Sequence, residues 1–210
     1  MIARRQIILS GGALLLLAGC GDIIKPPPSL PLFAIQPQIP ALAAGPKVTW
    51  SLALQLPDAP DNLDSNRISL LRGSSMDYYA NAQLPEHLPP LIQTALLEAF
   101  ERSARIDQVS RNQDSIRSDY LLQTDIRNCE ALYDSPDGPP KANVRIAAKL
   151  VNTFDRRIVA NLIAEQQVQA AQDSVPAVVD ALDQSIGAAI AMIVNWALAA
   201  PAPLAGNSRP

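Results

Sequence analysis

Residues 142–168 read ANVRIAAKLVNTFDRRIVANLIAEQQV. Val144, Ile146, Ala148 and Leu150 occupy every second position, so one side of an extended chain here is apolar. Asp155-Arg156 interrupts the run with a polar turn, and alternation resumes from Ile158 to Val168. Two alternating runs joined by a short polar break predict a long hairpin, because sequential strands usually pair antiparallel.

Working upstream, the cluster DSPDGPP (134–140) marks a second turn, and residues 119–133 alternate with Tyr120, Leu122 and Ile126 on one side. VTWSLALQL (48–56) sets Val48, Trp50, Leu52, Leu54 and Leu56 on one face. RISLLRG (67–73), MDYYANA (76–82) and IDQVS (106–110) read as short strands. Between the last two, Leu88, Leu91, Ile92, Ala95, Leu96, Ala99 and Phe100 form a stripe at helical spacing, with Pro89 and Pro90 tolerated in the first turn and an end near Ser103. Downstream of the hairpin, Ser174 stands at a helix start with Pro176 behind it. Val175, Val178, Val179, Leu182, Ile186, Ala189, Ile190 and Ile193 give the buried stripe of that helix. The order β-β-β-α-β-β-β-β-α predicts the α+β class: an antiparallel or mixed sheet with two main helices packed on one face.

The chain has 210 residues, room for one ordinary domain and a tether. The amino-terminal stretch MIARRQIILSGGALLLLAGC is not a domain element. Its apolar run, Ile7 to Gly19, is too short to span a bilayer, which takes about 20 residues. The positive start at Arg4 and Arg5, the short apolar centre and the small residues after it have the form of a secretory signal. The twin arginine also permits the twin-arginine route, though the flanking residues fit it poorly. Leu17-Ala18-Gly19-Cys20 resembles a bacterial lipobox. That resemblance implies lipid on the Cys20 sulfur, cleavage before Cys20 and acylation of the new amino terminus. Several acyl chains hold a protein stably at a membrane where one does so only marginally. Gly21 follows the cysteine and Asp22 comes one place too late for the enterobacterial inner-membrane retention signal, so the expected location is the periplasmic face of the outer membrane.

Residues 1–19 are thus read as signal peptide, 20–46 as lipid anchor and proline-rich linker, 47–199 as the domain, and 200–210 as a frayed tail. Prolines at 26, 27, 28, 31, 37, 40 and 46 favour extended chain in the linker. Leu30, Leu32, Phe33 and Ile35 leave open that part of it packs on the domain.

The charge balance excludes one class. Seventeen basic and 20 acidic residues give −3, and loss of Arg4 and Arg5 with the signal takes this to −5. A protein of that charge does not hold nucleic acid through phosphate contacts. Cys129 has no thiol partner if Cys20 carries lipid, and reads as a small buried hydrophobe in a strand. The single histidine, His87, stands among prolines at a helix start and cannot build a zinc site with one distant thiol. The loop PDAPDNLDSN (57–66) fails the calcium-loop spacing, which wants glycine sixth and glutamate twelfth. There is no phosphate loop, G-x-G-x-x-G or G-x-S-x-G. The carboxylates are scattered and read as solvated faces. No catalytic residue, metal or cofactor is expected, and the protein is not expected to be an enzyme.

The stretch from Leu63 to Ile106 carries a family pattern. Leu63, Asp64, Arg67 and Ile68 are followed by Tyr78, Tyr79, Ala80 and Ala82. A helix then bears Leu88, Pro89, Leu91, Gln93, Leu96, Leu97, Ala99, Phe100, Glu101 and Ser103. With SDYLLQTDIR, AKLVNTFDRRIVA and VVDALDQSIGAAIAMIVNWAL downstream, it resembles the ABC-type transport auxiliary lipoproteins, the PqiC-like group, from about Trp50 to Leu198. Two positions depart from that pattern: Leu84 stands where tryptophan is expected and Cys129 where an aromatic is. The resemblance implies a non-catalytic accessory of an ABC-type lipid transporter, with an MCE-domain protein as partner and the membrane reached through the lipid anchor. Trp50, Tyr78, Tyr79 and Leu84 are the candidate partner surface, with strand core as the alternative. Self-association is a further expectation. A general envelope assembly lipoprotein and a lipid-binding carrier are the competing readings.

Overall fold

The computed structural model describes residues 30–135 and 138–202. Among them the chain order is β1 (Leu52–Leu54), β2 (Arg67–Arg72), β3 (Ser75–Gln83), α1 (Leu88–Arg102), β4 (Val109–Arg111), β5 (Tyr120–Tyr133), β6 (Lys141–Asn152), β7 (Ile158–Gln169) and α2 (Val175–Ala197). This is the expected order of elements. The sheet is mixed and curled, and the fold is α+β.

The hairpin that opened the sequence reading forms the backbone of the sheet. β5, β6 and β7 are consecutive antiparallel strands, with Ile126 opposite Ile146 and Ile146 opposite Ala164. On its other side β5 is shared. Its first residues pair in parallel with β1, Leu52 opposite Tyr120. Its last residues pair in parallel with β2, Ser69 opposite Glu130. β4 extends the β1 branch and β3 the β2 branch. β2 and β3 are joined by a tight turn at Gly73-Ser74, where Gly73 has φ +59°, the left-handed geometry that glycine takes without a Cβ clash.

Inner-facing residues of β6 (Ala142, Val144, Ile146, Ala148, Leu150) are buried, as the alternation predicts. In β5 the phase shifts part-way. Tyr120, Leu122, Thr124 and Ile126 point inward, then Cys129, Ala131 and Tyr133 do. A bulge between Ile126 and Asn128 adds the residue that moves the inner face from even to odd positions. Cys129 is accordingly buried, and burial with the neighbouring Glu130 pushes its thiol up to about 12.

β1 departs from expectation. The alternation from Val48 to Leu56 predicts a half-buried strand of nine residues, yet β1 is three residues long and all three are buried, while Leu56 is exposed. β1 is an interior strand between β4 and β5, and Ala53 is as deeply buried as its leucine neighbours, so both of its faces are covered.

Both helices cover the same face of the sheet. α2 packs on β5, β6 and β7, and α1 packs on α2 and β4. α2 is long and apolar enough to cross a membrane, but most of it is buried inside the domain, where it serves as the core helix. Its stripe is so broad that even Ser185 is buried, with its hydroxyl donating to Ala142 O at 3.3 Å. Ser174 holds the N-cap position of α2 without a side-chain capping bond.

Candidate functional site

The anchoring residues Leu17, Ala18, Gly19, Cys20, Gly21 and Asp22 lie outside the described residues. What the structure places is the chain that leads away from them. The segment set apart as linker to residue 46 does not hang free from Pro31 onward. It lies along the domain as a strap and is fixed at three points.

At the first point, Phe33 N donates to Gln83 O at 2.8 Å and Gln83 N donates to Pro31 O at 3.2 Å, which adds a short parallel bridge to β3. At the second, Gln36 N donates to Asp183 Oδ1 at 2.7 Å and Gln38 N to the Asp183 carbonyl at 3.0 Å. Gly187 lies one helical turn on. A Cβ there would sit 2.2 Å from Gln38 O, so only glycine lets the strap backbone lie this close to α2. At the third, the Arg105 guanidinium donates to Pro46 O, Ala43 O and Leu198 O, and Ala43 N donates to Asn195 Oδ1. Prolines 31, 37, 40 and 46 bring no N–H to satisfy, and several of the N–H groups between them are bonded to the domain. Ile35 is buried in the main core. The boundary drawn at 46/47 therefore falls inside packed structure.

Asp183 corrects a second expectation. Not all carboxylates are solvated: Asp183 is only 7% exposed, and burial raises its carboxyl above the ordinary 3.8 against the lowering effect of the Gln36 N–H. Glu130 is buried too, accepting from Cys129 N at 2.8 Å, Asn128 Nδ2 at 3.1 Å and Asn143 Nδ2 at 2.6 Å. It holds the strand just after the bulge. A signal existed for Asp183, which falls at stripe spacing between Val179 and Ile186. Glu130 offered none: after the bulge it lies on the face opposite Cys129 and Ala131, where its bonds to Asn128 and Asn143 hold it under cover.

The four aromatic and apolar candidates divide. Trp50 is 4% exposed and stacks edge-on against Tyr120, ring centroids 5.1 Å apart. Leu84 is 2% exposed. Burial removes both from the candidate surface and makes them core. Tyr78 and Tyr79 are half-buried on β3. Arg67 lies 4.1 Å over the Tyr78 ring, and Tyr78 Oη donates to Asn62 O at 3.1 Å. Tyr79 Oη and Tyr133 Oη are 2.9 Å apart, Tyr133 donates to Asp173 Oδ1 at 2.6 Å, and Arg72 covers the Tyr133 ring. Burial, then the Tyr133 bond, raises the Tyr79 phenol far above its ordinary range. This chain ties edge strand β3 through β5 to the loop before α2. Both rings are engaged within the domain.

His87 caps nothing with its side chain. Its Nδ1 is 2.9 Å from Asp64 Oδ1, an exposed pair that joins the loop before β2 to the start of α1. Among the described residues no group of three or more His, Cys, Asp or Glu side chains is gathered as metal ligands would be.

With this geometry in place, comparison with known proteins is informative. A family model described as the ABC-type transport auxiliary lipoprotein component matches residues 32–194. The chain belongs to that family. The match begins inside the strap, consistent with the strap being part of the domain. A crystal structure of a Xanthomonas campestris protein assigned to DUF330 is similar to the chain with 28% identity and TM-score 0.75, over 80% of this chain and 94% of that one. A crystal structure of an uncharacterized protein matches with 14% identity and TM-score 0.60, over 72% and 94%, which is a likeness of fold alone. Comparison with curated proteins finds no match. As an ABC-type transport auxiliary lipoprotein, the chain is an accessory of a transporter in the cell envelope rather than a member of a known enzyme class.

Proposed function

We propose that the protein is a lipid-anchored periplasmic component of an MCE/ABC-type lipid transport system that docks the MCE-domain protein at the outer membrane. The observation that carries this is the family match over almost the whole domain. The strap supports it: a domain whose amino-terminal segment is bonded down at Gln83, Asp183 and Arg105 presents the rest of its surface in a defined relation to its attachment point. Residues 1–19 act as the signal, Cys20 as the acylation site with Leu17, Ala18 and Gly19 as its lipobox, and Gly21-Asp22 as the sorting residues. Residues 20–46 lead from the anchor to the domain, with Pro31 to Pro46 bonded down along it. Of the four candidates, only Tyr78 and Tyr79, half-buried on β3, could still offer ring edges to a partner.

The test is crosslinking in native membranes, together with deletion. The lipoprotein should crosslink to the MCE protein, and its deletion should reproduce the envelope lipid disturbance of deleting that partner. Absence of both overturns the reading. Cys20→Ala should abolish acylation and leave the precursor uncleaved before position 20, read from its mass. An unmodified Cys20 thiol in the mature native protein, seen by mass spectrometry, would contradict the anchor.

A further inference from the structure

The apolar side chains that the fold leaves in solvent are not scattered evenly. Phe154, in the turn between β6 and β7, is 81% exposed, and Ile116, in the loop before β5, is 62% exposed. Ile158 and Val159 at the start of β7 are exposed as well. The two loops are tied together: Thr153 Oγ1 donates to Ser118 O, and Thr153 N donates to Asp119 O at 3.0 Å. Behind them an apolar row crosses three strands, Ile158 opposite Val151 and Val151 opposite Leu121. A groove of about 220 Å³ opens beside Ile116 and Arg117, floored by Leu52 and Val109.

The charges around this tip run against those of the whole chain. Arg117, Arg156 and Arg157 are exposed there, on a protein of net charge −3. The carboxylates Asp119 and Asp155 offset part of that charge but are held by local partners, so the three arginines leave this end modestly positive. Asp119 accepts from Ser51 N and Ser51 Oγ, both at 2.8 Å, and Asp155 accepts from Arg157 N and lies 3.8 Å from its Nε. Arg156 is held with φ +58° at the turn, a geometry uncommon for a residue with a Cβ.

We propose that this hairpin tip is a membrane-contact site, seating Phe154 and Ile116 in the interfacial layer of an anionic bilayer with the three arginines at the level of the phosphates. Phe154, 81% exposed, and Ile116 project into solvent, and a deformable apolar layer accepts them without a preformed pocket. Arginine stems lie along such a surface while their heads stay with water and phosphate. Clustered basic residues next to an apolar anchor add the electrostatic half of peripheral binding. Because the rest of the protein is acidic, an anionic surface repels most of it and orients this end inward.

The strap brings the surface within reach. Pro31 is already bonded to the domain, so about eleven residues separate it from Cys20, an extended span of about 40 Å at most. A domain of this size has a radius of gyration of about 15 Å, so its far side stays close to the lipid. That step rests on the acylated Cys20 of the proposed function; the contact itself does not.

The experiment therefore uses the full mature chain with Cys20→Ser, which has no acyl anchor, in flotation with phosphatidylcholine vesicles with and without about 30 mol% phosphatidylglycerol. Wild-type tip sequence should float with the anionic vesicles and much less with neutral ones. Phe154→Ser with Ile116→Ser should weaken flotation at least about tenfold, and Arg117→Gln, Arg156→Gln and Arg157→Gln together should abolish the dependence on anionic lipid. Circular dichroism and urea midpoints, unchanged for these surface variants, report that the fold is intact. No flotation with anionic vesicles, or flotation untouched by both sets of changes, overturns the proposal. Loss of crosslinking to a transporter protein in the tip variants, with no vesicle binding by the parent, assigns the tip to a protein partner and overturns it equally.

Discussion

The strap and the β6–β7 tip present opposite surfaces to solvent. The strap carries four prolines and no hydrophobic period, the composition of loose chain, yet it buries Ile35 and bonds its amides to β3 and α2. The tip closes the long β6–β7 hairpin, whose alternation is plain in the sequence, yet leaves Phe154 almost fully in water. Regularity reports the backbone conformation a segment adopts. Whether that segment is covered depends on what lies opposite: for the strap, the close approach that Gly187 permits on α2; for the tip, nothing but solvent and the neighbouring loop.

The sharpest way to break this contrast is Gly187→Ala. The added Cβ meets backbone rather than a movable side chain, so the strap must lift. The expected loss is about 2–3 kcal/mol, read as a lower urea midpoint, with new protease cuts between residues 33 and 46. A variant as stable and as resistant as the parent would mean the strap is not seated on α2.

Cys129→Ser probes the deep face of β5, on the buried side of the comparison. A hydroxyl in that site should cost about 1–3 kcal/mol. With its thiol pushed up to about 12, Cys129 should also resist alkylation at pH 8 until the protein unfolds. Quantitative labelling of the folded protein would contradict its burial.

Asp183→Asn sharpens the strap contact without removing it, because the amide oxygen still accepts from Gln36 N. Burial raises the Asp183 carboxyl in the folded state, so the native protein binds the proton more tightly than the unfolded chain. Stability from this group is fully present below the ordinary value of 3.8, and is lost as pH rises through the higher folded value. The Asn variant should therefore equal or exceed the parent at pH 7, by up to about 1 kcal/mol, and show a flatter dependence between pH 4 and 7. Urea titrations across that range check it. A clear loss at pH 7 would show that the carboxylate charge is what holds the strap.

The smallest effect belongs to the tip. Phe154→Ser should change folding stability by no more than about 0.5 kcal/mol, since nothing packs on the ring. A loss of 2 kcal/mol or more, of the size seen when a core aromatic is truncated, would place Phe154 in the core instead.

The sequence by itself determined the order of the elements, the face each long strand and helix buries, and the hairpin. Those follow from side-chain periods of 2 and 3.6, which are written in consecutive residues. It also carried the family pattern from Leu63 onward. Tertiary structure decided the rest. The parallel pairing of β1 and β2 with one strand, β5, is made by backbone groups that every residue has, so no side chain announces it. The bulge after Ile126, which turns Cys129 inward and leaves Glu130 on the opposite face, changes the count by one and leaves the composition untouched. Trp50, Leu84, Tyr78 and Tyr79 were equal candidates as letters. They parted because Trp50 and Leu84 lie inside the packed layers, while β3, at the sheet edge, keeps the two tyrosines near solvent. The strap was legible only as an apolar hint at Leu30, Leu32, Phe33 and Ile35. Its seat required a glycine about 150 residues away, and proximity across that distance exists only once α2 is folded against the sheet.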